Sequence, residues 1–119
     1  KEVSAKDPAL AAKVKTRYSQ QVKMQPLDEI PNIGEVLLMK IDTQGTELAV
    51  LKGAEQTLKR TRLILIELNN HELYQGSAQY HQVDEFLRLH HFKLRDIYVT
   101  YRPKGEMSEY DALYENILL

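Results

Sequence analysis

Residues 36–53, VLLMKIDTQGTELAVLKG, decide the fold of this chain. The segment opens with an almost continuous apolar run, which is typical of a strand covered on both faces in a parallel sheet. It then reaches Asp42, turns at Gly45 and continues with leucines at helical spacing, for which Thr46 can provide the N-cap. We therefore predict a strand that ends near Asp42 and one continuous helix that begins after Thr46 and contains Gly53.

A second apolar strand follows this helix. Residues 63–66, LILI, are succeeded directly by Glu67. Two strands joined by one helix form a βαβ unit, so we expect them to be parallel and to end at the same edge of the sheet. Ligands of open α/β sheets bind beyond this edge. The sequence therefore predicts that the carboxylates of Asp42 and Glu67 meet at a binding rim.

The rest of the chain supplies further elements of the same α/β class. Because no helical pattern separates the last two strands, we expect them to form an antiparallel pair. The prediction is a single α/β domain over residues 1–119, with a mainly parallel sheet and an antiparallel last strand. The additional predicted elements are an N-terminal helical segment over residues 1–21, an extended segment at 22–24, a helical turn at 26–30, a helix over about 80–90, a strand over 92–99 and a final strand over 110–119.

The composition excludes several classes of function. A net charge of −1 gives no electrostatic footprint for nucleic acid or an anionic membrane. No apolar run is long enough to span a bilayer, and the absence of cysteine excludes disulfide and thiolate chemistry. With no signal-peptide pattern near Lys1, we expect a cytoplasmic protein. The 5 glycines are too widely spaced for a phosphate-cradling loop, so neither GxGxxG nor GxxxxGK[ST] can be written.

These segments resemble the C-terminal half of FkbM-type methyltransferases. That family consists of S-adenosylmethionine-dependent enzymes, mostly O-methyltransferases that act on sugar or polyketide hydroxyls. The resemblance covers roughly residues 24–118 and implies part of a Rossmann-like methyltransferase sheet, with these strands as its fourth to seventh. It rests on KIDTQGTELAVLKGAEQTL at 40–58, LILIEL at 63–68, VDEFLRLHHFKLRDIY at 83–98 and DALYENILL at 111–119.

Two departures from the family pattern affect the site. Gln44 stands where the family usually has glutamate, which removes one negative charge. The glycine-rich first strand and the acidic end of the second strand, which hold the methionine moiety and the ribose in the family, are also missing. We therefore expect the cofactor-binding N-terminal half to be absent, the S-adenosylmethionine pocket to be incomplete and this chain alone to be inactive. The first residue is Lys1, and we expect the sequence to be a piece of a longer protein.

The candidate catalytic residues are Asp42, Glu67, Lys40 and His71. Asp42 either contacts cofactor or substrate and serves as a base for a hydroxyl, or caps the following helix. Lys40 faces the same side of the strand as Asp42, where it either orients a hydroxyl or forms a structural ion pair. Glu67 either binds substrate hydroxyls or pairs with Asp42 and Asn69 around a divalent cation, which the family pattern does not require; no metal is predicted.

The remaining candidates are His71 and Gly45. His71 lies in the loop after the second strand, as a general base or as an ordinary exposed histidine. Gly45 supplies a backbone conformation disfavoured for other residues or a close approach to the cofactor, and is assigned with Asp42 to cofactor binding. Six tyrosines in the C-terminal half form either a carbohydrate platform or ordinary packing: Tyr74, Tyr80, Tyr98, Tyr101, Tyr110 and Tyr114.

Two functions are consistent with these residues. The first is the C-terminal part of an O-methyltransferase that acts on a small-molecule hydroxyl acceptor, with Asp42 and Glu67 as the polar floor of its site. The alternative is a catalytically inactive α/β module that associates, as a homo-oligomer, through an exposed sheet edge along residues 36–42.

Overall fold

The computed structural model describes residues 18–72 and 75–119. Three helices, four strands and two 3₁₀ turns follow one another in these ranges. In chain order they are a 3₁₀ turn Leu27–Glu29, strand β1 Val36–Ile41, helices α1 Glu47–Lys52 and α2 Glu55–Leu58, strand β2 Thr61–Asn69, helix α3 Tyr80–Leu89, strand β3 Phe92–Tyr101, a 3₁₀ turn Pro103–Gly105 and strand β4 Glu109–Asn116.

The strands form one mixed sheet in the order β1-β2-β4-β3. β1 and β2 are parallel neighbours joined through α1 and α2, which confirms the predicted βαβ unit. β4 lies between β2 and β3 and is antiparallel to both of them. Three strands therefore point in one direction and the last strand points in the other, as the sequence predicted.

One face of the sheet carries the core. Alternate residues of β2 and β4 point to this face, where the helices cover them. Leu51 of α1 is completely inaccessible to solvent, and burial of such a side chain stabilises the fold by roughly 1.5–3 kcal/mol. The other fully or almost fully buried apolar residues of the core are Ile41, Ala54, Leu58, Ile64, Ile66, Leu68, Val83, Leu87, Phe92, Tyr110, Ala112 and Tyr114.

The expectation that β1 is covered on both faces is wrong for the part of the chain that the structure describes. Leu37 is 70% exposed and Leu38 is 51% exposed, whereas Ile41 at the end of the strand is buried. β1 is an edge strand that pairs with β2 alone among the described strands. The apolar run of β1 therefore belongs to a strand whose first half, around Leu37 and Leu38, is not covered by the described residues.

The helix predicted after Thr46 is interrupted, and the interruption has a structural reason. Gly53 packs against Pro26 rather than against the sheet: a Cβ on Gly53 would lie 3.3 Å from both Cα and Cβ of Pro26. The carboxylate of Asp28 caps the start of the second helix: it accepts hydrogen bonds from the backbone N–H groups of Gln56 at 2.8 Å and of Thr57 at 2.9 Å. The turn that contains Asp28 therefore splits the helix into α1 and α2.

The N-terminal helical segment predicted over residues 1–21 falls mostly outside the described part of the chain. Residues 1–17 of the predicted N-terminal helical segment lie outside the described residues, as does Tyr74. Residues 18–26 form no helix or strand, so the segment at residues 22–24 pairs with no strand of the described sheet. Within the described ranges, no helix combines the length and the apolar character that a membrane crossing requires.

Candidate active site

Asp42 and Glu67 lie together at one edge of the sheet. Asp42 directly follows Ile41, the last residue of β1, and the parallel register aligns Ile41 with Ile66 of β2. The next residue of each strand therefore reaches the same rim, where the two carboxyl groups form a side-chain hydrogen bond. The predicted meeting of these two acidic residues is confirmed.

A hydrogen bond between two carboxyl groups requires that one of them keeps its proton. The bond from Glu67 lowers the pKa of Asp42, and the amide of Gln44 and the charge of Lys40 lower it further. Partial burial acts in the opposite direction and raises it. The same bond raises the pKa of Glu67 to about 8, assisted by burial and by Glu109. At neutral pH, a protonated Glu67 therefore donates to an ionised Asp42.

The loop that carries Asp42 is organised by Glu47, the first residue of α1. Glu47 is only 4% exposed, and its Oε1 accepts bonds from the N–H of Thr43 at 3.1 Å, the hydroxyl of Thr43 at 3.2 Å and the N–H of Gly45 at 3.0 Å. The carboxylate of Glu47 turns inward, although its position in the helical pattern lies off the apolar stripe, because these loop amides need an acceptor. Thr46 makes no side-chain cap; its hydroxyl donates to the carbonyl of Thr43.

Two successive residues of this loop have positive φ angles. Gln44 has φ 57°, and its side-chain Nε2 donates to Oδ1 of Asp42 at 3.0 Å and to Oε2 of Glu67 at 3.3 Å. Gly45 has φ 108°, and a Cβ at that position would lie 2.7 Å from Oγ of Ser77. The predicted conformational role of Gly45 is confirmed; its contact with a cofactor stays a prediction.

Neither Lys40 nor His71 forms a hydrogen bond with the carboxyl pair among the residues that the structure describes. Lys40 is exposed on β1, and within the described ranges it acts on Asp42 through its charge and forms no ion pair. His71 is exposed in the loop after β2, and no hydrogen bond of the described residues joins it to Asp42 or Glu67. Their catalytic roles stay predictions.

A third acidic residue reaches the same rim and was missed by the sequence analysis. Glu109, the first residue of β4, is opposite Asn69 in the antiparallel register and lies close enough to Glu67 to raise the pKa of that carboxyl group. The signal that points to it is topological, since an antiparallel last strand begins at the edge where the parallel strands end. Within residues 18–72 and 75–119, no group of three or more acidic or histidine residues is arranged to hold a metal ion.

Two of the tyrosines considered for a carbohydrate platform belong to the core. Tyr110 and Tyr114 are buried, and the hydroxyl of Tyr114 donates to Oδ1 of Asp84 at 2.9 Å. Asp84 therefore supports the packing of α3 on β4. For Tyr110 and Tyr114, ordinary packing is the interpretation that the structure supports.

The chain is an α/β protein with a polar rim where its parallel strands end, which is the edge at which open α/β sheets bind their ligands. The family model described as the methyltransferase FkbM domain matches residues 4–94, and the chain therefore belongs to the FkbM methyltransferase family. The match starts before the segment that carried the resemblance and ends within β3, so it includes Asp42 and Glu67. Comparisons with curated proteins and with solved structures each return no match.

Proposed function

We propose that this chain is the acceptor-binding part of an S-adenosylmethionine-dependent methyltransferase that methylates a hydroxyl on a sugar or polyketide-like molecule. The observation that carries the proposal is the hydrogen-bonded pair of Asp42 and Glu67, which lies where the parallel pairing of β1 and β2 ends. The strand order β1-β2-β4-β3 supports it, because it is compatible with one half of a Rossmann-like methyltransferase sheet. Membership of the FkbM family supports the reaction type.

The residues of this chain fit part of such a site. When bound, S-adenosylmethionine supplies a methyl group on a positively charged sulfur. Ionised Asp42 offers a hydrogen-bond acceptor for hydroxyl groups at the rim. The glycines form no cradle: Gly45 approaches Ser77, and nothing lies within 4 Å of a Cβ built at Gly34 or Gly76. In this proposal, the segment that holds the methionine part of the cofactor lies outside these 119 residues.

Methyl transfer to a hydroxyl forms a carbon–oxygen bond and breaks the carbon–sulfur bond, and the hydroxyl proton must leave. The carboxylate of Asp42 accepts a hydrogen bond from the hydroxyl and receives its proton as the new bond forms. Because its pKa is lowered, Asp42 is ionised before the reaction and is a weak base. Its main contribution is therefore to align the hydroxyl with the methyl group, while neutral Glu67 limits the negative charge at the rim.

Transfer of a labelled methyl group from S-adenosylmethionine to a panel of sugar and polyketide hydroxyls tests the proposal in the native full-length protein. Asp42→Asn should lower turnover about 100-fold or more while the melting temperature changes little. Asp96→Asn, on the exposed edge strand β3, is the matched control and should keep its activity. Normal turnover of Asp42→Asn would reduce Asp42 to a helix cap, and transfer only to nitrogen or carbon would overturn O-methylation.

A calorimetric titration tests the second part of the proposal, the incomplete cofactor pocket. S-adenosylmethionine and its demethylated product should show no measurable binding to the 119-residue chain alone. Binding with micromolar strength would contradict the view that part of the pocket lies elsewhere.

One observation favours a second candidate function, a module that pairs with another copy of itself. Among the described strands β1 has a partner on one side only, and Leu37 and Leu38 at this edge are largely exposed. An unpaired edge can form a two-fold symmetric antiparallel contact with a second copy. Sedimentation should then show a dimer that Leu37→Lys dissociates, with Leu89→Lys on α3 as an exposed control. A wild-type monomer at high concentration would exclude this candidate.

A further inference from the structure

Gln44 has a backbone conformation that its residue type disfavours. Its φ angle of 57° places it in the left-handed region, where a residue with a β-carbon is sterically strained. Strain of this kind persists where surrounding contacts impose it and is common at functional sites. Glycine adopts positive φ angles without strain, as Gly45 does in the next position. The conformation of the turn therefore does not explain why residue 44 is a glutamine.

The strained conformation lets the side chain of Gln44 reach back to the strand ends. One nitrogen, Nε2, donates to Asp42 at 3.0 Å and to Glu67 at 3.3 Å, and thereby bridges residues that belong to two different strands. A primary amide has two N–H donors and carries no charge. Gln44 can therefore hold two carboxyl groups at once without adding a third negative charge beside them.

We propose that Gln44 is a positioning residue that clamps the carboxyl groups of Asp42 and Glu67 together at the rim. Pairing of β1 with β2 brings the two Cα atoms near each other, but both side chains are accessible and can rotate into solvent. The amide of Gln44 adds one bond to each carboxyl group, beside the bond that joins the two directly. The catalytic consequence rests on the proposed function, whereas the clamp is a property of this chain alone.

Two substitutions separate the clamp from the backbone strain. Gln44→Leu keeps a side chain of similar volume and removes both N–H donors. Gln44→Asn keeps the amide and suits the left-handed conformation, but its side chain is one methylene shorter and cannot span both carboxyl groups. Gln56→Leu is the matched control, since the side chain of Gln56 is exposed and contacts only Lys59 among the described residues.

Carbon-13 NMR titration of the side-chain carboxyl groups in the 119-residue chain reports the clamp directly. In the wild type and in Gln56→Leu, Glu67 should titrate with a pKa of about 8. In both Gln44 variants the carboxyl groups should separate, so that the pKa of Glu67 falls toward its ordinary value and that of Asp42 rises toward its own.

Either of two results would overturn the clamp. An unchanged titration of Glu67 in Gln44→Leu would mean that the sheet alone holds the pair. A rise in the pKa of Glu67 would mean that the carboxyl groups stay together and have merely lost a donor. Because the titration uses neither cofactor nor acceptor, its failure is distinguishable from a failure of methyl transfer.

Discussion

Replacement of Glu47 by alanine should destabilise the protein by about 2–4 kcal/mol. Three bonds end on Oε1 of this buried carboxylate, and two of them come from the backbone N–H groups of Thr43 and Gly45. A hydrogen bond to a charged group contributes roughly 1.5–3 kcal/mol, and water that enters the half-buried loop recovers part of the loss. The estimate for alanine therefore lies below the full sum of three such bonds.

A comparison with glutamine makes this prediction more specific. All three donors use the same oxygen, so the amide oxygen of Glu47→Gln can accept every bond, although a neutral acceptor is about half as strong. We expect a loss of about 1–2 kcal/mol for Glu47→Gln. Glu85→Ala, an exposed change on α3, should stay within about 0.5 kcal/mol of the wild type.

Urea unfolding at neutral pH measures these differences as shifts of the midpoint at constant slope. Amide hydrogen exchange gives an independent readout, because Thr43 and Gly45 should exchange faster in Glu47→Ala than in the wild type. A loss below about 0.5 kcal/mol for Glu47→Ala, together with unchanged exchange at both amides, would refute the assigned role of this carboxylate.

Three other substitutions test the rim and the packing around it. The pKa of Glu67 is raised to about 8 in the folded protein, so Glu67 stabilises the fold fully below its ordinary pKa and loses this contribution as the pH rises through about 8. Urea unfolding should therefore show the wild type losing stability relative to Glu67→Gln between about pH 4.5 and about pH 8, and a constant difference would contradict the raised pKa. Leu51→Ala should lower the free energy of unfolding by about 2–5 kcal/mol, because Leu51 has no solvent exposure; a loss below about 1 kcal/mol would contradict its core position. Asp28→Ala removes the cap of α2 and should cost about 0.5–2 kcal/mol in the same assay, whereas unchanged stability would show that the backbone N–H of Thr57 finds another acceptor.

Local periodicity was sufficient to predict the βαβ unit and the antiparallel last pair. The break at Gly53 was not predictable in this way, because it depends on Pro26 and Asp28, which are distant in sequence and dock against the helix. The exposure of Leu37 and Leu38 was also missed. An apolar run indicates a strand that is suited to burial, but it does not show whether the covering residues belong to the same segment of chain.

The sequence predicted the site residues whose position depends on where the parallel strands end. It missed the residues whose role depends on the direction of a side chain or of the last strand. Asp42 and Glu67 directly follow the last paired residues of β1 and β2, so their meeting required only the topology. Glu47 has the position of a solvent-facing residue in the helical pattern, yet the unsatisfied amides of the preceding loop draw its carboxylate inward. Glu109 required one further step, because an antiparallel strand delivers its first residue, not its last, to the same rim.

The central position of β4 has a consequence for the order of assembly during synthesis. β3 is hydrogen-bonded to β4 alone among the described strands, and β2 has β4 as its only neighbour on that side. A nascent chain that has emerged only as far as Tyr101 can form the β1–β2 pair, but β3 has no strand to pair with. The sheet is completed only when residues 109–116 have been synthesised. A chain that terminates before them would expose the edges of β2 and β3 that β4 pairs with, and such unpaired edges are prone to aggregation.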